Sequence, residues 1–205
     1  MFSQEEFNNF ILENKVIKYF EEPIRLRSGK LSHWYFNWRD IADDVFLLDK
    51  LTGYIIDFTK DLGLKPDCFY GVPEGATKIG LFAQERWAKS SLEYGRGSHS
   101  LPMGRGKPKR HGIPKDRNFI GEPKGKTIIL EDVTTTGKSL IKAIDSLIET
   151  DAVVIAAYGL TNWMETGKDG KSVEEIIQER GIPFYYMSNA YELVPRMYKK
   201  LKRED

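Results

Sequence analysis

A single cysteine, Cys68, and three histidines are all that this 205-residue chain has of the thiolate and imidazole ligands that structural zinc favours. One thiol cannot close an intrachain disulfide, and one thiol with three scattered imidazoles is a poor donor set for structural zinc. No apolar run approaches the roughly 18 residues that a membrane-spanning helix needs. The first residues, Met1-Phe2-Ser3-Gln4-Glu5-Glu6, are acidic where a signal peptide would be basic and then apolar, so a cytoplasmic protein is expected. Charge of one sign is not in excess either: 31 basic and 30 acidic side chains leave a net charge of +1. That balance argues against coating nucleic acid or anionic membrane by bulk electrostatics. What is present is 40% apolar and 12% aromatic content, enough for the core of one domain.

The hydrophobic pattern predicts alternating elements. Ser3 and Glu6 form a capping box ahead of Phe7, Phe10 and Ile11 on one helical face. Val16 to Phe20 reads as a short strand, and residues 24–38 as a small strand pair turning at Ser28-Gly29-Lys30. The stripe Ile41, Val45, Leu48, Leu51, Ile55, Phe58 and Leu62 predicts one long amphipathic helix ended by Gly63 and Pro66. Strand and helix then alternate. Strands are expected at 68–72, 127–130, 152–157 and 183–187, with helices to about Lys89, through Leu140 to Ile148, over 173–180 and at the basic C-terminus. This order predicts an α/β fold with a mostly parallel central sheet flanked by helices.

The segment 95–126 breaks the alternation, apart from a possible short strand at 101–103. It holds Gly95, Gly97, Gly104, Gly106 and Gly112 with Pro102, Pro108 and Pro114. It is also strongly basic, with Arg96, Arg105, Lys107, Lys109, Arg110, Lys115, Arg117, Lys124 and Lys126 set against Asp116 and Glu122. In a chain of near-zero net charge, such a concentration predicts a lid or ligand loop for an anionic partner.

The most informative stretch runs from Thr127 to Leu140. A buried strand ends in Glu131 and Asp132, then in Thr134, Thr135, Thr136, Gly137, Lys138 and Ser139 at the start of a helix. Hydroxyls and backbone N–H groups at a helix start make a socket for a phosphate dianion. Gly137 lets the backbone approach the ligand, and the carboxylates can accept hydrogen bonds from sugar hydroxyls or help hold a divalent cation. The carboxylates repel bare phosphate, so a phosphorylated sugar suits the pair of features. A nucleotide P-loop is excluded, because its first glycine would fall at position 132, which is Asp.

The run Ile129-Leu130-Glu131-Asp132-Val133-Thr134-Thr135-Thr136-Gly137 resembles the phosphoribosyl pyrophosphate (PRPP) signature of type I phosphoribosyltransferases, and the chain resembles the orotate phosphoribosyltransferases over most of its length. The N-terminal segment from Ile24 through Arg27, Gly29, Tyr35 and Phe36 to Asn37 resembles that family's Leu-Lys-Ser-Gly-x-x-Ser-x-Tyr-Phe-x-Asn. Gly71 to Gly75, with Glu74, lies where the family binds pyrophosphate. Arg105-Gly106-Lys107-Pro108-Lys109-Arg110-His111-Gly112 resembles its mobile lid. The resemblance implies a type I phosphoribosyltransferase fold with a small N-terminal hood (1–40), a core domain (41–205) and a lid loop at about 104–122. It also implies transfer of the phosphoribosyl group from PRPP to orotate, with Mg²⁺ held through pyrophosphate and ribose hydroxyls rather than by direct protein ligands. By the same resemblance, Lys109, Arg105 and His111 close over the pyrophosphate. Arg27 adds a contact where the family has Lys, Tyr35 and Phe36 flank the base, and the lid reaches a partner subunit in a homodimer.

Two positions depart from the family. Its Asp-Arg-x-Glu-x-Gly, whose Arg pairs with the orotate carboxylate, is matched here by Asn162-Trp163-Met164-Glu165-Thr166-Gly167, and Lys78 stands where a helix usually begins with Pro. Another cation holds the base, or the register differs, or the acceptor is not orotate; Trp163 could itself stack on a flat base. A non-catalytic PRPP- or nucleotide-sensing protein of the same fold is the alternative. The Lys199, Lys200, Lys202 and Arg203 tail favours it, and the absence of a recognisable helix-turn-helix and the small net charge oppose it.

Overall fold

The computed structural model describes residues 1–26, 29–111, 117–167 and 169–204. Helix α1 (Gln4–Glu13) starts at Ser3, whose hydroxyl accepts from Glu6 N. Strands β1 (Ile17–Arg25) and β2 (Leu31–Phe36) form an antiparallel hairpin. β1 runs beyond the expected Val16–Phe20 because its register shifts between Tyr19 and Ile24, which accommodates Pro23 and its missing N–H.

The single long helix expected after Trp38 is two. Short α2 (Arg39–Ala42) stops at Asp43, and α3 (Val45–Asp61) restarts where the Asp44 carboxylate caps Leu47 N at 2.9 Å. That side-chain cap offers the backbone an alternative to continuous helix. It also turns Val45, a member of the predicted stripe, out to solvent at 71% exposure, while Leu48, Leu51 and Ile55 remain buried.

The central sheet is parallel throughout, in the order β3 (Cys68–Gly71), β6 (Gly125–Thr134), β7 (Ala152–Asn162), β8 (Phe184–Tyr186). Helices α4 (Thr77–Lys89), α5 (Lys138–Ile148), α6 (Val173–Gln178) and α7 (Ala190–Glu204) complete the alternation. Between α4 and β6, strands β4 (Met103–Gly104) and β5 (Phe119–Ile120) pair antiparallel as a small arm. Because side chains alternate along a strand, β6 sends Ile128 and Leu130 into one apolar cluster with α1, α3 and the hairpin. It sends Ile129 into a second cluster with α5 and α6. Both sheet faces are covered, which is why the interior strands are continuously apolar. The carboxyl ends of β3, β6 and β7 therefore lie at one edge of the sheet. The residues singled out in the sequence follow there.

Candidate active site

Strand β6 extends past Leu130, so Glu131 and Asp132 belong to the strand itself, paired against β7 through Glu131–Gly159 and Thr134–Asn162. Successive strand residues face opposite ways. Glu131, 7% exposed, lines a cavity of about 610 Å³ together with Thr134, Thr135, Thr136, Gly137, Lys138 and Ser139. Asp132 faces the loop after β3 instead: a Cβ on Gly75 would stand 2.2 Å from its Oδ2. The acidic pair thus serves two neighbouring spaces, one on the hydroxyl turn and one on the 72–76 loop, where the Pro73–Glu74 peptide is cis.

The turn is shaped by Gly137. Its φ of 72° is left-handed, and a Cβ there would stand 2.7 Å from Val173 Cγ2 at the start of α6. Both features require glycine. As the N-cap of α5 it supplies no side chain, so the first N–H groups of that helix lack a cap at this position. Thr134 turns its hydroxyl inward to Thr161 O at 3.5 Å. Thr135, Thr136 and Ser139 are half-exposed on the cavity wall. Across the cavity stand Gly167, the end of the segment matched to the family's Asp-Arg-x-Glu-x-Gly, and Asp169, Lys171 and Glu179, which sequence reasoning did not single out.

The root of the basic arm closes on the same edge. A Cβ on Gly104 would meet the Tyr70 hydroxyl at 2.0 Å and Pro73 Cγ at 2.5 Å, and one on Gly106 would meet Glu74 Oε1 at 2.7 Å. Arg105 N donates to Asn118 O and Lys109 N to Arg117 O, each at 2.8 Å, so the arm continues as a ladder beyond β4 and β5. A smaller cavity of about 120 Å³ is lined by Arg105, Gly106, Tyr70 and Pro73 on one side and by Ser139 and Lys142 of α5 on the other. Lys109 and His111 sit further out, exposed, and line neither cavity. Gly112 lies outside the described residues, as does Arg27. Tyr70 was missed because it reads as one more apolar strand residue. Burial first, and then the nearby Glu131 charge, push its phenol well above the usual range, so it stays a hydrogen-bond donor.

At the other end, the hairpin meets the segment after β7. Phe36 and Trp163 pack edge to face, with ring centroids 5.0 Å apart at 78°, and Trp163 N donates to Thr134 O at 2.9 Å. Two aromatic candidates are therefore in contact within one hydrogen bond of the hydroxyl turn. Tyr35, their sequence neighbour, is half-buried and alternates to the other face of β2. Lys30 pairs with Glu165 at 3.2 Å, a second tie between hairpin and segment. Lys78, by contrast, reaches away to Asp43 at 2.9 Å. No group of three or more His, Cys, Asp or Glu suited to a metal ion occurs among the described residues.

A parallel sheet whose second strand ends in an acidic pair and a hydroxyl-glycine turn, under a basic arm, defines a phosphoribosyltransferase of the type I class. No protein-family model matches the chain. It is 31% identical over 180 residues to the orotate phosphoribosyltransferase of Bradyrhizobium diazoefficiens, covering 83% of this chain and 87% of that one. It is 27% identical over 189 residues to that of Aquifex aeolicus, covering 90% and 94%. The crystal structure of orotate phosphoribosyltransferase from Aeropyrum pernix superposes with a TM-score of 0.71 at 20% identity, over 93% of this chain and 97% of that one. The Mycobacterium tuberculosis enzyme, solved in complex with PRPP, superposes with a TM-score of 0.63 at 14% identity, over 93% and 98%. The chain belongs to the orotate phosphoribosyltransferase family.

Proposed function

We propose that this protein transfers the 5-phosphoribosyl group of PRPP to orotate, giving orotidine 5′-monophosphate and pyrophosphate. The observation that carries this is the end of β6, where the hydroxyl turn, Glu131 and Asp132 meet the Gly75 loop and the root of the basic arm at one sheet edge. A phosphate dianion fits the turn, ribose hydroxyls fit the carboxylates, and the diphosphate fits the loop beneath Arg105.

The reaction builds positive charge at the sugar carbon and negative charge on the departing pyrophosphate. Electrostatic stabilisation and positioning are therefore the protein's main tasks. Glu131 and Asp132 stabilise the sugar side by charge and by accepting hydroxyl protons in hydrogen bonds. Arg105, Lys109 and His111 neutralise the leaving group, and the His111 imidazole can also give it a proton as a general acid. Closure of the arm keeps water from the cationic sugar. Glu131 and Asp132 are the carboxylates that would lie nearest a Mg²⁺ brought in with the substrate, and such an ion would supply Lewis acidity there.

The exposed placement of Lys109 and His111, away from the chain's own cavities, favours a homodimer in which each arm serves the partner's site. No helix of the described residues is long and apolar enough to cross a membrane, and a cytoplasmic enzyme of nucleotide synthesis is the corresponding setting. One observation favours a second reading of the acceptor: Trp163, half-buried and packed edge to face on Phe36, stands where the family offers a guanidinium. Pyrophosphate release from PRPP, measured with Mg²⁺ and a panel of orotate, uracil and purine bases, tests both. Turnover with orotate is expected. Turnover only with another base would keep the class and remove orotate, and none with any base would overturn the enzyme reading.

A further inference from the structure

The cavity on the hydroxyl turn has a charge problem. Among the described residues, Glu131, Asp169 and Glu179 line it with negative charge, and Lys138 and Lys171 with positive. Lys138 is the first residue of α5 and is exposed. Lys171 lies on the opposite wall, and the backbone holds it there. Gly167 N donates to Lys171 O at 2.7 Å, Lys171 N donates to Asp169 Oδ1 at 3.3 Å, and Thr166 bridges Ser172 in an antiparallel pair. The next residue, Ser172, opens α6 through a reciprocal capping box with Glu175. Val173 then packs against Gly137, the pivot of the turn. Only Ser172 separates Lys171 from that contact, so its root is fixed beside the turn while its exposed side chain can swing. The ammonium rests on Glu179 Oε1 at 2.5 Å, and Glu179 lines the same cavity.

We propose that Lys171 is a phosphate ligand of this site: paired with Glu179, it turns to the phosphate dianion seated on Thr135, Thr136 and Ser139. An ammonium carries three donors, so one can remain on Glu179 while another meets the phosphate. Glu179 thus competes with the phosphate for the lysine, and a dianion outcompetes a single carboxylate for it. Such a cation would act with Lys138 and the first N–H groups of α5 in drawing a phosphate dianion to the turn. The assignment rests on the reading of the turn as the phosphate end of the substrate.

Binding of ribose 5-phosphate and of pyrophosphate, each titrated calorimetrically into the full chain, separates the two ends of the site without needing turnover. K171A is expected to weaken ribose 5-phosphate by about tenfold, the effect of losing a charge-assisted hydrogen bond, and to leave pyrophosphate within about twofold. K171R should recover most of the loss. E179Q, which releases the lysine while preserving shape, should bind ribose 5-phosphate at least as tightly as the wild type. Unchanged ribose 5-phosphate binding in K171A overturns the assignment of Lys171 alone. A loss in E179Q as large as that in K171A overturns it too, since the pair would then be merely structural. Wild-type protein that binds pyrophosphate but not ribose 5-phosphate would remove the phosphate reading of the turn itself, and the Lys171 assignment with it.

Discussion

Replacing Gly75 with alanine tests the apposition of the 72–76 loop and Asp132 by the smallest available change. The new Cβ would stand 2.2 Å from Oδ2 and 2.7 Å from Oδ1, where ordinary contact begins at 3.4 Å. Either the carboxylate or the loop must therefore give by about 1 Å, and a misplacement of about 1 Å at a reacting centre costs on the order of a hundredfold in rate. That corresponds to about 2.7 kcal/mol of transition-state stabilisation. Asp132 is half-buried and can swing without opening the core, so the global stability should change by less than about 1 kcal/mol. Steady-state kcat/KM for PRPP, read beside a urea denaturation curve, measures both. The double variant G75A/D132A gives the sharper check. If the methyl acts by displacing the carboxylate, it should cost nothing more once the carboxylate is gone. A G75A enzyme within about threefold of wild type, or losses that multiply in the double variant, would refute the reasoning.

Three further outcomes follow from the same geometry. G137A combines a left-handed φ of 72° with a Cβ 2.7 Å from Val173 Cγ2, so urea unfolding should show a loss of roughly 2–4 kcal/mol; V173A in the same chain should relieve part of it. If each arm serves the partner's site, K109A and D132N should each be nearly inactive alone, and a refolded equal mixture should regain about a quarter of the wild-type rate through hybrid dimers with one intact site. No recovery would place the arm over its own chain. Cys68 is buried and its thiol is pushed up from the usual 9.0 to about 11, chiefly by that burial. The folded state therefore favours the protonated thiol. Stability from this group is complete below pH 9 and is lost as pH rises from 9 to 11, by about 2–3 kcal/mol at most. C68A should flatten that part of the pH–stability curve, and the native thiol should resist disulfide reagents at pH 8.

Much of the fold was legible because the interior strands are covered on both faces. Runs such as Thr127–Leu130 and Ala152–Ala157 are continuously apolar for that reason, and their alternation with amphipathic helices implies parallel crossovers. The boundaries were less legible. β6 continues through Glu131 and Asp132 because their backbone still pairs with β7, which side-chain polarity does not reveal. The break at Asp44 was hidden because Val45 keeps the helical period across it, although the Asp cap was a readable signal. In the site, the hydroxyl-glycine turn was visible because its residues are contiguous. Tyr70, Lys171 and Glu179 were not, since they come from three other elements and reach the same edge only through folding. Lys30 and Glu165 are likewise 135 positions apart, an ion pair that no local pattern encodes.

Phosphoribosyl transfer to orotate at the end of β6 makes defined products. The most direct measurement is product analysis by ³¹P NMR of a reaction containing the protein, PRPP, orotate and Mg²⁺, run beside D132N. Orotidine 5′-monophosphate and pyrophosphate should appear in equal amounts with the wild type and at a rate at least about a hundredfold lower with D132N. PRPP left intact, PRPP broken down to ribose 5-phosphate with no nucleotide formed, or equal rates in the two proteins would contradict the account.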